Sequence, residues 1–130
     1  MKAEELVSLA KTAMENAYAP YSGYRVGAAL LAADGKVYTG CNIENASFSP
    51  TICAERTAFA KAVSEGQRNF SAIAVCGGKD GIIGGAFPPC GVCRQVMAEF
   101  CSEDFTIYLA TESGWQTFTL ADLLPHSFGI

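Results

Sequence analysis

Two short pieces of the chain combine residue types that hold metals and move protons: Cys53-Ala54-Glu55 and Pro89-Cys90-Gly91-Val92-Cys93. Taken alone, a CxxC pair serves redox and metal chemistry equally well. A structural zinc site closes with four protein ligands, commonly two such pairs, and the second pair is missing here. The one histidine, His126, stands beside a proline close to the end and is a poor fourth ligand. Thiols from Cys53, Cys90 and Cys93 would fill three corners of a tetrahedral zinc and leave one for water, as catalytic sites do. Glu55 follows Cys53 by two residues, so it cannot readily share the ion. It can point into the same pocket and act there as general acid and base on water. Elsewhere it would read as a solvated helix residue. Beside this cysteine, in the first turn of a largely apolar helix, the catalytic reading is preferred.

Three thiolates around Zn²⁺ carry a net charge of −1, which opposes loss of a proton from water at the metal. Something positive must compensate. Two helix N-termini aimed at the sulfurs would each contribute about half a positive charge. Arg56 adjoins the motif and can donate hydrogen bonds to a thiolate, so it is expected to support the ligand cysteine. Arg94 is a weaker candidate for the same task.

The elements that must position these residues are legible in outline. Leu6, Leu9, Ala10, Ala13, Met14 and Ala17 recur at helical spacing, and Pro20-Tyr21-Ser22-Gly23 ends that helix. Val26–Ala33 and Val37–Ile43 flank Asp34-Gly35, a hairpin signal. Residues 44–51 read as loop. Ala54, Ala58, Phe59, Ala62 and Val63 resume helical spacing up to Gly66. Ser71–Cys76 reads as a buried strand and Gly77–Phe87 as a glycine-rich loop. Val92, Val96, Met97 and Phe100 predict another helix, followed by strands near 106–110 and 115–119 and one helical turn at 120–124. Strands alternating with helices imply an α/β fold with parallel pairs and covered faces. Both cysteine motifs then fall at helix N-termini, where three thiols can converge.

Composition narrows the function classes. The chain has 130 residues, 50% hydrophobic and 17% charged, which fits one compact domain over 1–130 and excludes disorder. Nine basic against thirteen acidic residues leave a charge of −4, which argues against a broad basic surface gripping nucleic acid. No apolar run reaches the ~18 residues of a membrane span. The acidic start is unlike a secretory signal, so the expected location is cytoplasmic. Thiols stay reduced there, and Cys41, Cys76 and Cys101 are expected to be small buried hydrophobes.

At these motifs the sequence resembles the small cytidine deaminases whose zinc is held by cysteines alone. The resemblance covers nearly the whole chain. It rests on Ala19-Pro20-Tyr21-Ser22, Val26-Gly27-Ala28-Ala29-Leu30-Leu31, Gly40-Cys41-Asn42-Ile43-Glu44-Asn45-Ala46, Cys53-Ala54-Glu55-Arg56-Thr57-Ala58 and Pro89-Cys90-Gly91-Val92-Cys93-Arg94-Gln95-Val96, in that order. The wider zinc deaminase signature begins with a histidine, and Cys53 takes that place here.

The resemblance implies a three-layer α/β/α sandwich around a five-stranded mixed sheet. It implies one zinc per subunit on Cys53, Cys90 and Cys93, with Glu55 passing protons to N3 and to the departing ammonia as cytidine or deoxycytidine is hydrolysed at C4. Asn42 and Glu44 match positions that bond the sugar hydroxyls. The residues alone leave open that they merely end a strand and satisfy a turn, and the matched block favours the sugar. The backbone around Ala54 would meet the base edge. Tyr24 stands where the family usually has phenylalanine and would line the nucleoside pocket. Phe48 replaces a usual tyrosine. Phe128 matches an aromatic that reaches a neighbouring subunit's pocket, which implies a homotetramer with shared sites.

Arg25 replaces a usual proline, and the 77–88 segment looks longer than is typical, so access to the metal could differ. An aminonucleoside antibiotic (blasticidin S-type) deaminase shares the length and motifs, but Asn42, Glu44 and Phe128 favour a ribose-bearing substrate. A non-catalytic zinc-stabilised module is the alternative from another class. A polynucleotide editor is disfavoured by the charge and by the lack of a basic, aromatic groove.

Overall fold

The computed structural model describes all 130 residues, Met1–Ile130. Helix α1 (Ala3–Met14) leads into a hairpin of β1 (Tyr24–Ala32) and β2 (Val37–Cys41). Then come α2 (Ala54–Ser64), β3 (Phe70–Lys79), α3 (Gly91–Phe100), β4 (Thr106–Thr111), β5 (Gly114–Thr119) and the single turn α4 (Leu120–Leu123). The strands form one sheet in the order β2-β1-β3-β4-β5. β3 and β4 are parallel, connected through α3, and every other neighbouring pair is antiparallel.

The layers follow from strand chemistry. Alternate residues of a strand point to opposite faces. On β3, Ala72, Ala74 and Cys76 join Leu6, Val7 and Ala10 of α1, whereas Ile73 and Val75 join Phe59 of α2 and Met97 of α3. A strand covered on both faces reads as one apolar run rather than an alternation, which is why β3 stood out in the sequence. The larger core lies on the α2/α3 side. Phe59, Leu30, Ile73, Met97 and Ile107 are fully buried there, and each contributes roughly 1.5–3 kcal/mol of transfer free energy. Alanines dominate the strand positions under α1, so that helix lies close to the sheet.

The expected α/β sandwich with a five-stranded mixed sheet is present. The Asp34-Gly35 turn joins β1 to β2, with Leu31 opposite Val37. Two expectations need correction. The first helix ends at Met14 and does not reach Ala17. The loop expected from Gly77 begins only after Lys79, because Gly77–Lys79 extend β3 and pair with Val26–Tyr24 of β1. A glycine pair carries no side-chain periodicity, so only the neighbouring strand's hydrogen bonds reveal that it is extended.

Candidate active site

Both cysteine motifs sit at helix N-termini. Cys53 is the N-cap of α2 and Cys90 the N-cap of α3, each with extended backbone and neither thiol capping the backbone N–H groups of its own helix. Ile43 and Ile52 exchange backbone hydrogen bonds of 3.0 Å, which closes the 44–51 loop and brings the chain to Cys53. A Cβ on Gly40 of β2 would stand 2.5 Å from the Ala54 carbonyl oxygen and 2.7 Å from Ala58 N. Glycine there lets the first turns of α2 settle directly on the sheet.

The geometry brings three sulfurs together. Sγ of Cys53 lies 3.9 Å from Sγ of Cys90, which lies 3.5 Å from Sγ of Cys93, and all three fall within 4.8 Å of one another. Zinc–sulfur bonds of about 2.3 Å put tetrahedral sulfurs about 3.8 Å apart, so this donor set fits one zinc ion. His126 is not in the group; it is exposed and has a left-handed backbone, φ 55°.

Glu55 is 4% exposed. It shares a cavity of about 350 Å³ with Cys53, Cys90, Asn42, Glu44 and Tyr24. Burial pushes the Glu55 carboxyl up to about 7, because desolvation disfavours the charged form. The Cys53 thiol is pushed down to about 5, first by its hydrogen bond with Cys93 and also by Arg56, while Cys93 is pushed up by the same thiol pair. Arg56 supplies the expected contact, its guanidinium donating to Cys53 Sγ at 3.5 Å. Arg94 does not approach the sulfurs. Its Nε donates to the Pro89 carbonyl at 2.7 Å and another nitrogen to that of Leu123 at 2.5 Å, so it braces the approach to Cys90.

Asn42 is nearly buried and doubly engaged: Oδ1 accepts from Val26 N at 2.9 Å and Nδ2 donates to the Tyr24 carbonyl at 2.7 Å. It therefore fastens β1 while facing the cavity, and both readings of this residue have a geometric basis. Glu44 Oε1 accepts from the backbone N–H groups of Tyr21 and Ser22 at 2.9 and 3.1 Å, and Oε2 accepts from the Ser22 hydroxyl. It stands where the first cavity meets a second of about 380 Å³ that Phe48 also lines. Ala54 is fully buried at the start of α2. Phe128 is not brought to this cavity. Its side chain is 72% exposed and only its carbonyl is held, by Gln95.

Sequence reasoning missed Phe87, whose ring lines the cavity 6.0 Å from that of Tyr24. A Cβ on Gly77 would lie 2.9 Å from the Phe87 ring, so the glycine end of β3 provides its seat. The Phe87-Pro88-Pro89 run ahead of Cys90 was the available signal. Cys76 is fully buried as expected, whereas Cys41 and Cys101 are only half-buried; desolvation pushes the Cys76 and Cys101 thiols up to about 11 and about 12.

Comparison with known proteins agrees with this geometry. A family model for the cytidine and deoxycytidylate deaminase zinc-binding region matches residues 1–109. A cytidine deaminase of Sporosarcina psychrophila is 52% identical over 129 residues, covering 98% of this chain and 92% of the relative. That of Mycobacterium tuberculosis (strain H37Rv) is 40% identical over 121 residues, covering 93% and 85%. The crystal structure of cytidine deaminase from Burkholderia pseudomallei superposes with a TM-score of 0.90 at 45% identity, covering 98% of this chain and all of that one. With the sulfur cluster, the buried carboxyl and these likenesses together, the chain belongs to the family defined by the cytidine and deoxycytidylate deaminase zinc-binding region.

Proposed function

We propose that this protein is a zinc-dependent cytidine deaminase, which hydrolyses cytidine or deoxycytidine to uridine or deoxyuridine and ammonia. The observation that carries the reading is one buried carboxyl, Glu55, in a cavity lined by Cys53 and Cys90 of the three-sulfur cluster and by a fixed carboxylate and amide, Glu44 and Asn42. Zinc, when bound, supplies Lewis acidity that makes water acidic enough to lose a proton near neutral pH.

Cys53, Cys90 and Cys93 hold the ion, and Arg56 tempers the charge of the Cys53 thiolate. Glu55 takes a proton from the attacking water and delivers it to N3 of the pyrimidine as the water oxygen adds to C4. Glu55 then carries the second proton from the new hydroxyl to the 4-amino group, which leaves as ammonia. A carboxyl poised near neutrality suits both directions of transfer. Asn42 and Glu44 engage the sugar hydroxyls, Tyr24 walls the pocket, and the backbone at Ala54 meets the base edge.

The whole chain, 1–130, acts as one deaminase domain. We also infer a homotetramer with shared sites. Ile52, Phe59, Val63, Val96 and Phe100 line an apolar groove of about 330 Å³ between α2 and α3, which a second copy would cover. Phe128 stands clear of its own chain's cavity and is free to enter a neighbour's. A place in pyrimidine salvage follows from action on free nucleosides. Six free cysteines suit a reducing compartment and a cytoplasmic location; no helix is long and apolar enough to cross a membrane.

Ammonia release from cytidine, deoxycytidine, cytosine, CMP and an aminonucleoside antibiotic tests the reading. Turnover of the first two is expected. A zinc-loaded protein that deaminates neither would overturn it, and turnover of the antibiotic alone would replace it with the rival substrate.

A further inference from the structure

The turn that holds Glu44 is itself held from outside by one side chain. Residues 21–22 donate all three hydrogen bonds to the Glu44 carboxylate. Lys79 Nζ, at the end of β3, donates to the Ser22 carbonyl at 2.6 Å and stands 5.3 Å from the centre of the Tyr24 ring. The next residue, Asp80, donates its N–H to the Gly23 carbonyl at 2.7 Å. Gly23 has φ +76°, and a Cβ there would lie 2.8 Å from Lys79 Nζ, so the lysine reaches the turn across the one residue with no side chain. Tyr24 and Lys79 are also cross-strand partners. One ammonium thus touches both the anchor of Glu44 and an aromatic wall of the cavity. The Glu44 carboxyl is held below its usual range mainly by Ser22, with a smaller contribution from the Lys79 charge.

We propose that Lys79 is a positioning residue for the nucleoside's sugar, clamping the 21–24 turn so that the Glu44 carboxylate and the Tyr24 ring are preset for substrate. This rests on the reading of Glu44 as a sugar ligand. Lys79 touches no reacting atom. Its contribution therefore belongs to binding, shared by ground state and transition state, and appears in KM rather than kcat.

The test is steady-state kinetics on cytidine with zinc-loaded Lys79→Met, Lys79→Arg, Glu44→Gln and the double variant Lys79→Met/Glu44→Gln, with Tm measured for each. Lys79→Met is expected to raise KM by about three- to tenfold, the scale of one exposed charged contact plus a cation–π contact, with kcat within about twofold. Lys79→Arg is expected to recover most of the loss. In the Glu44→Gln background, Lys79→Met is expected to raise KM by no more than about twofold, because its main route is already gone. If Glu44→Gln raises KM while Lys79→Met does not, the lysine has no positioning role and Glu44 keeps its own. If Lys79→Met lowers kcat and Tm together with no effect on KM, its role is structural and the proposal is overturned. Full additivity in the double variant would also overturn it, because Lys79 would then act independently of Glu44. An unchanged KM in Glu44→Gln would instead remove the sugar-ligand reading on which the proposal stands.

Discussion

Glu55 occupies the second position of α2, where a carboxylate would normally be exposed and stabilised by the helix dipole. Here it is enclosed, and its neutral form is favoured up to about 7. Glu55→Gln keeps the shape and removes the proposed proton carrier. Turnover is expected to fall by roughly 10²–10⁴-fold, the usual worth of a general acid–base group, with zinc content and Tm nearly unchanged; retained ammonia release would refute the role. Arg56 is judged differently because it touches a ligand sulfur and not the cavity. Arg56→Ala is expected to weaken zinc binding by about 10–100-fold, measured by competition with a chelator. A variant with the parent's zinc affinity and kcat would show that the helix N-termini alone balance the thiolates. Asn42 shows a limit at this scale. Its type and place suited either a strand end or a ligand, and the two bonds to β1 show that it fastens the strand as well as facing the cavity.

At the scale of elements, the site exists because α2 and α3 bring their N-termini together on one face of the sheet. The close seat of α2 on β2 depends on Gly40. Gly40→Ala would drive a methyl group to within 2.5 Å of the Ala54 carbonyl oxygen, and the helix must shift. The expected cost is about 1–3 kcal/mol of stability, read by denaturant unfolding. A larger relative loss in kcat is expected, since Cys53 and Glu55 ride on the same turn. Unchanged stability would mean that the helix is free to move. The β3 terminus makes the complementary point. Gly77 and Gly78 look like loop in the sequence, yet they extend a strand, seat Phe87 and lead to Lys79.

At the scale of the whole molecule, zinc joins two helices that belong to separate parts of the chain. Removing it with a chelator is expected to abolish turnover and to lower Tm, because a ligand bound only to the folded state stabilises it by about 4 kcal/mol at 1,000 times its Kd. Restored zinc should return both, and an unchanged Tm would mean the sulfurs do not hold the fold together. Phe128→Ala addresses the assembly. If the aromatic enters a neighbour's pocket, KM for cytidine should rise while sedimentation still reports a tetramer. A fully active monomer would contradict the shared-site proposal.

Much of this was legible in one chain of letters. Cys53, Cys90, Cys93 and Glu55 could be singled out because metal and proton chemistry demand particular side chains at short spacings, and short spacings survive in sequence. The helices and the hairpin were legible for the same reason, since period and turn chemistry are local. Tertiary structure alone decided that the two cysteine motifs meet, although 37 residues separate Cys53 from Cys90. It likewise decided that Glu55 is desolvated, that Gly77–Lys79 is strand, and that Lys79 reaches the turn holding Glu44. Burial, sheet pairing and contacts between distant segments are properties of neighbours in space, and no local pattern of residues encodes which neighbours those will be.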